Sequence, residues 1–355
     1  MGLPTINVNF KKLAATAVAR SERGVLAFVI KDTTDTSFSY REYGSLAEVD
    51  DSDYTAANYA GIASAFLAGP YKVIVVRVGS SDTITAVTPI LDILNFDWVC
   101  SNVSTFHAGL VTYVGTVNTA GRARKIKALV AGQSSADDIH VVNVANTTVT
   151  LAGASTTTAI DAYLPRLAGI LAACPITQSV TSWALTDLDA CSAVSTIDTV
   201  IDAGNLCLYR DDNVIRIARG VNTLKTLGTT YTAEMKKIAV VEVMDLLQQD
   251  IIRVFKDNYL GKVRNSADNQ GNLCAAILGY MRDLTAMGVL DAAGENAVAV
   301  DADAIRAAWA AAGKDVSDWT DAQAKATPYG SYVYLTATCR IIDAMEDLVM
   351  NIYMG

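Results

Sequence analysis

The spacing of apolar and polar positions divides the chain into two stretches of different period. In residues 4–10, Ile6, Val8 and Phe10 alternate with Thr5, Asn7 and Asn9, which predicts a strand. Residues 24–30 are an unbroken apolar run of strand length, and 73–78 (Val-Ile-Val-Val-Arg-Val) is a β-branched run of the same kind. Between them, residues 54–67 place Ala, Ile and Phe at helical spacing, and Gly69-Pro70 stops the helix. Further along, residues 95–100, 126–130 and 139–144 predict strands. Residues 106–119 predict a helix containing Gly109 and Gly115, and 159–173 an amphipathic helix with Pro165 near its start. Such alternation predicts an α/β domain with a largely parallel sheet.

A hairpin is predicted next. The runs 205–209 and 214–218 flank Arg210-Asp211-Asp212-Asn213, whose Asp and Asn supply turn chemistry. Beyond Thr232 the period lengthens. Residues 235–255 read as a long helix, 262–271 as a polar loop, 273–287 as a helix closed by Gly288, and 301–312 as an Ala-rich helix stopped by Gly313. This half is a separate α+β region. The chain ends on two strand candidates, 332–342 and 348–354, joined by a turn at Asp343-Ala344-Met345-Glu346-Asp347. An apolar strand at a chain end presents an open edge, so it requires a partner.

Composition narrows the function classes. With 355 residues, 51% hydrophobic and only 18% charged, the chain has material for one core and a second. The net charge of -9 argues against nucleic acid, because phosphate binding needs concentrated cations. The longest basic run, residues 122–127, reads as a helix end followed by a strand start. Six cysteines occur without a CxxC pair, which suits reduced thiols in the cytoplasm of a host cell. Pro4, Asn7, Asn9, Lys11 and Lys12 break up any signal-peptide core, and Ile6 stands where a myristoylation motif needs Ser or Thr. No apolar run approaches the roughly 20 residues of a membrane helix, so no membrane insertion is expected.

Catalytic signatures are missing. His107 and His140 have no HExxH or HxE context. The patterns GxSxG, GxxxxGK[ST] and GxGxxG do not occur, and Gly261-Lys262 and Gly313-Lys314 are the nearest fragments. Asp137-Asp138 and Asp211-Asp212 read as turn acids, and Cys174 before Pro175 as a core thiol. No catalytic, cofactor-binding or metal residue is therefore assigned.

Four segments resemble the contractile phage tail sheath family. The opening residues 1–10 look like sheath proteins of defective-prophage and bacteriocin particles from Gram-positive bacteria. Residues 217–224 are similar to the family's ARGVNTL segment, 259–266 (Tyr-Leu-Gly-Lys-Val-Arg-Asn-Ser) to its YIGKxxNS loop, and 342–348 to its xDAMEDI turn. The resemblance implies a central α/β domain, subtilisin-like in shape without the protease triad, and a C-terminal α+β domain facing an inner tube. Extended β-strand arms at both ends complete this fold. The implied division is an N-terminal arm at 1–20, the α/β domain at 21–230, the C-terminal domain at 231–343 and a C-terminal arm at 344–355.

It also implies that Ile6, Val8, Phe10, Leu348, Val349, Met350, Ile352 and Tyr353 are inter-subunit strand residues. Lys256, Lys262, Arg264 and Arg282 are the candidates for facing the tube. Implied partners are further copies in stacked hexameric rings, an inner tail tube protein, and baseplate and terminator proteins, without a cofactor. The implied setting is a virion tail or a released R-type bacteriocin (tailocin) particle. Two alternatives stay open: the sheath of a related contractile secretion or injection system, and an α/β enzyme without a recognisable motif.

Overall fold

A computed structural model describes residues 24–121 and 124–354. Ile6, Val8 and Phe10, and the start of the basic run at Arg122, lie outside the described residues. The chain divides into a larger compact unit, residues 24–246 with 343–354, and a smaller one, Leu247–Ile342.

In the larger unit the elements run β1 (Val25–Lys31), β2 (Tyr40–Tyr43), α1 (Ala56–Phe66), β3 (Lys72–Val78), α2 (Ile84–Ile93), β4 (Trp98–Ser101), α3 (His107–Thr119), β5 (Lys127–Ala131), β6 (Val141–Val144), β7 (Thr148–Leu151), β8 (Thr158–Ala159) and α4 (Ile160–Ala173). After these come β9 (Ala184–Leu185), β10 (Leu188–Cys191), α5 (Ile197–Asp202), β11 (Asn205–Leu206), β12 (Leu208–Asp211), β13 (Val214–Ile217) and the first half of α6 (Ile238–Val254). The main sheet has the order β11-β6-β5-β4-β1-β3-β2. Its pairings are parallel except for edge strand β2, which runs antiparallel to β3. Two three-stranded sheets, β10-β7-β8 and β12-β13-β9, stand beside it.

The sheet is covered on both faces, which explains the unbroken apolar run of β1. Leu26, Phe28 and Ile30 join Ile62 and Ala65 of α1 and Leu164, Leu167 and Ala168 of α4 in one core. Ala27 and Val29 enter the other, with Val87 and Leu91 of α2 and Leu110 and Val114 of α3. The predicted hairpin divides in two. Asn205 and Leu206 leave it to extend the main sheet parallel to β6, and only β12 and β13 pair antiparallel around Asp212, whose φ is 50°.

The smaller unit holds the second half of α6, a π turn at Phe255–Tyr259, α7 (Ala267–Ala286), β14 (Ala297–Val300), α8 (Ala302–Ala311), α9 (Asp321–Ala326) and β15 (Leu335–Thr338). Leu273, Ile277, Tyr280 and Leu284 form the buried stripe of α7, and Tyr280 OH donates to Asp250 Oδ2 at 2.6 Å. Trp309 packs edge-on against Tyr329, and Lys314 lies 4.7 Å from both the Trp309 and Trp319 rings. The strand predicted at 332–342 shortens to β15, which pairs with β14 in a two-stranded ribbon. The strand predicted at 348–354 does not form in the single chain; those residues carry no regular structure.

Candidate assembly site

Two of the segments that carry the resemblance, 120 residues apart in sequence, meet in the larger unit. Asp343 pairs with Lys237, and Asp347 Oδ1 lies 2.5 Å from Arg219 Nη2. Glu346 sits between these pairs with only 5% of its side chain exposed. Its Oε1 accepts from Ser179 Oγ at 2.8 Å and Thr181 Oγ1 at 2.6 Å. Its Oε2 accepts no hydrogen bond among the described residues and instead faces Lys237 Nζ at 3.5 Å and Arg219 Nε at 3.8 Å. Burial lowers the pKa of Lys237, but Asp343 and Glu346 outweigh that effect and raise it. The motif read in the sequence as a turn is thus a docked segment.

The receptor side follows from local sequence. Gly220 lies so close to the 179–181 loop that a Cβ would stand 2.9 Å from Val180 Cγ2. Its N–H donates to Thr181 Oγ1 at 2.9 Å. Asn222 is fully buried, donating to Met235 O at 2.7 Å and accepting from the Leu224 N–H at 3.0 Å. Thr223 Oγ1 donates to Asp138 O at 3.0 Å. These polar contacts lock the loop that presents Arg219.

Beyond the docked acids the character reverses. Leu348, Val349, Met350, Ile352, Tyr353 and Met354 are 68–94% exposed. Burying each of the larger ones would be worth about 1.5–3 kcal/mol. Such a run on one chain marks an interaction segment.

Beneath α6 lies a buried charge network. Lys127 Nζ stands 2.6 Å from Asp245 Oδ2 and 3.3 Å from Glu242 Oε1, and Trp98 Nε1 donates to Glu242 at 3.1 Å. His140 Nε2 is 3.0 Å from Asp245 Oδ1, and its Nδ1 is 3.5 Å from Asp138. Burial disfavours the imidazolium, but Asp138 and Asp245 outweigh burial and the Lys127 charge, so the His140 pKa rises. Burial likewise opposes the Asp245 carboxylate, yet Lys127 and His140 hold its pKa down at about 2. The other histidine is a packing residue: His107 is buried, with ring nitrogens 3.1 Å from Ala131 O and 3.0 Å from Ser101 O. Cys174 is half-buried in the loop after α4, at the rim of the core and not inside it.

At the carboxyl ends of β1 and β4, where ligand sites form in doubly wound sheets, Asp32 is 2% exposed. It accepts from Asn58 Nδ2 at 2.7 Å and from the Thr55 and Thr34 N–H groups at 2.9 Å each. Despite its burial these donors hold its pKa far below the carboxylate range. Its oxygens are occupied in fastening α1 to the end of β1.

The four basic candidates scatter over the smaller unit. Lys262 and Arg264 line a cleft of about 740 Å³ with Tyr259, Asn269, Gln270 and Ser331. Gly261, at φ 71°, turns this loop, and Asn265 fixes it by donating to Gly330 O at 3.0 Å and Tyr332 O at 2.9 Å. Lys256 is exposed in the π turn. Arg282 is exposed on α7, roughly 24 Å along the axis from cap residue Ser266 at 1.5 Å per residue. The first two share a surface, and Arg282 is remote from it.

A parallel sheet clad on both faces, a second α+β unit and an exposed apolar tail held at its root are the features to set against known proteins. Comparison shows what the chain is similar to. Residues 230–355 match the phage tail sheath C-terminal domain family. Over 99% of both chains, the protein is 26% identical to the tail sheath protein of Clostridium phage phiCD119. The solved sheath tail protein from Desulfitobacterium hafniense superposes with a TM-score of 0.67 at 15% identity, covering 79% of this chain and 90% of that one. The anti-feeding prophage sheath in its contracted state gives 0.68 at 12%, covering 94% of each. The chain is thus similar to a tail sheath protein along its whole length, and its residues 230–355 match the C-terminal domain of that family.

Proposed function

We propose that this chain is the structural subunit of a contractile tail sheath. Copies polymerise helically around an inner tube, and the polymer contracts to drive the tube through a bacterial envelope. The observation that carries this reading is the apolar tail after Asp347, exposed and without a strand partner among the described residues, beside a ribbon β14–β15 that has two strands among those residues. A two-stranded ribbon leaves strand edges open to a further strand. A tail from a neighbouring copy that adds to the ribbon satisfies both needs by strand augmentation. Each backbone hydrogen bond nets about 1 kcal/mol, so one tail is a modest tether, and its repetition through a lattice makes a continuous mesh. Residues 1–10, with Ile6, Val8 and Phe10, are the second arm.

Lys262 and Arg264, side by side on the cleft, are the tube-facing cations best supported by position, followed by Lys256. Arg282 serves this role less well because it lies along α7 away from them. Tube, baseplate and terminator proteins are the partners, in a phage tail or a headless particle. Electron microscopy of the purified protein tests the assignment: hollow tubes or short helical polymers are expected, and discrete globular oligomers overturn it.

A further inference from the structure

The polar docking of residues 343–347 also determines how much of the tail is free. We propose that Asp343, Glu346 and Asp347 form a releasable clamp, which holds five residues of the tail in reserve. With the clamp closed the free tail starts at Leu348; with it open the tail starts at Asp343. This inference rests on the reading that the tail pairs with a second copy.

The receptor is built for a carboxylate. Ser179 Oγ takes the Thr181 N–H at 3.1 Å and Thr181 Oγ1 takes the Gly220 N–H at 2.9 Å, which turns the hydroxyl protons toward an acceptor. Arg219 and Lys237 flank that point. Glu346 fills it, and the outer acids add one pair on each side. Apolar burial contributes little to the docking, because Met345 is fully exposed. The Asp343 and Asp347 side chains are 40% and 75% exposed, so their pairs are weak and screened by salt. A segment held this way lets go under tension or in salt while the core behind it stays folded. Residues 348–355 span about 27 Å fully extended and 343–355 about 44 Å, at roughly 3.4 Å per residue. Opening therefore gives two adjacent copies roughly 17 Å of extra separation before a paired tail has to come away.

A glutamate-specific protease tests the clamp in the unassembled chain. The full chain carrying Ile352→Asp, which disfavours tail pairing, is digested in low and in high salt, with cleavage at the exposed Glu295 as internal reference. At low salt, cleavage after Glu346 is expected to be about tenfold slower than in the same chain with Arg219→Ala and Lys237→Ala. At about 0.5 M salt, where the screening length is only a few ångströms, the share of that difference carried by the exposed Asp343 and Asp347 pairs should vanish, and the difference should shrink. Equal rates in the two proteins, or rates indifferent to salt, overturn the clamp. Should the double variant fail to fold, the salt dependence of the Ile352→Asp chain alone decides.

A second readout uses the chain with Ile352 intact. Arg219→Ala with Lys237→Ala is expected to polymerise still, because the tail strand is untouched. A folded double variant that makes no polymer shows a rigid mount and refutes release. Polymerisation of the Ile352→Asp chain itself would instead count against tail pairing and leave the protease result to judge the clamp.

Discussion

Asp245 serves two buried cations at once, Lys127 and His140. Removing one partner of a buried pair leaves the other charge uncompensated, which costs about 3–5 kcal/mol. Asp245→Asn is therefore expected to lower the urea unfolding free energy of the soluble chain by that order. Replacing the pair together, Lys127→Met with Asp245→Leu, should cost much less, since nothing charged is then left buried. The two pKa shifts act at opposite ends of the pH scale. Asp245 is depressed, so its contribution is full above the unfolded value of 3.8 and is lost as pH falls toward about 2. His140 is raised, so its contribution is full below 6.5 and is lost as pH rises through the folded value. Thermal melts of the wild type against His140→Gln, scanned from pH 5 to 9, should converge at the alkaline end. Nothing in the sequence links His140 to Asp245, 105 residues away; the pair exists because the residue before β6 meets a side chain of α6 in the fold.

At the scale of elements, α1 and α4 approach so closely that a Cβ on Gly169 would stand 2.2 Å from Ala65 O. Gly to Ala inside a helix normally stabilises by up to about 1 kcal/mol. Here the backbone carbonyl cannot yield, and Gly169→Ala is expected to destabilise by about 1–3 kcal/mol, read as a lower melting temperature. The main-sheet strands other than edge strand β2, and helices α1, α3 and α4, were legible, because a buried parallel sheet writes apolar runs and its helices write a stripe; the short strands β7–β10 and helix α5 carry too few residues to show a period. α2 was not legible, since Pro89 lies inside it. The start of α7 was missed for another reason. Asp268, Asn269, Gln270, Gly271 and Asn272 look like loop, but Ser266 caps the helix by accepting from the Asn269 N–H. Thr320 and Gln323 spelled out a capping box for α9, a signal present in the sequence and passed over. The assembly site was legible only in pieces: its two motifs stood out one at a time, and their union depends on the turn at Gly220.

At the scale of the whole molecule, the proposed function turns on the tail. Truncation after Asp347 removes exposed apolar residues and leaves the clamp and both cores untouched. The truncated chain is expected to keep the melting temperature of the full chain within a degree or two and to sediment as a monomer. Tubes formed by the truncated chain would contradict the assembly reading. The apolar run at 348–354 reads in the sequence as a strand; that it pairs with no strand among the described residues shows in the structure alone.

The ribbon of Ala297–Val300 and Leu335–Thr338 has one further consequence. Its two four-residue strands are half-buried or exposed along their length, so a third strand would add to their order. Amide hydrogen exchange should be fast there in the dispersed chain and slow in the tube. Under that scheme maturation of the subunit and growth of the particle are one event, and a newly made copy reaches its final conformation only on joining the queue.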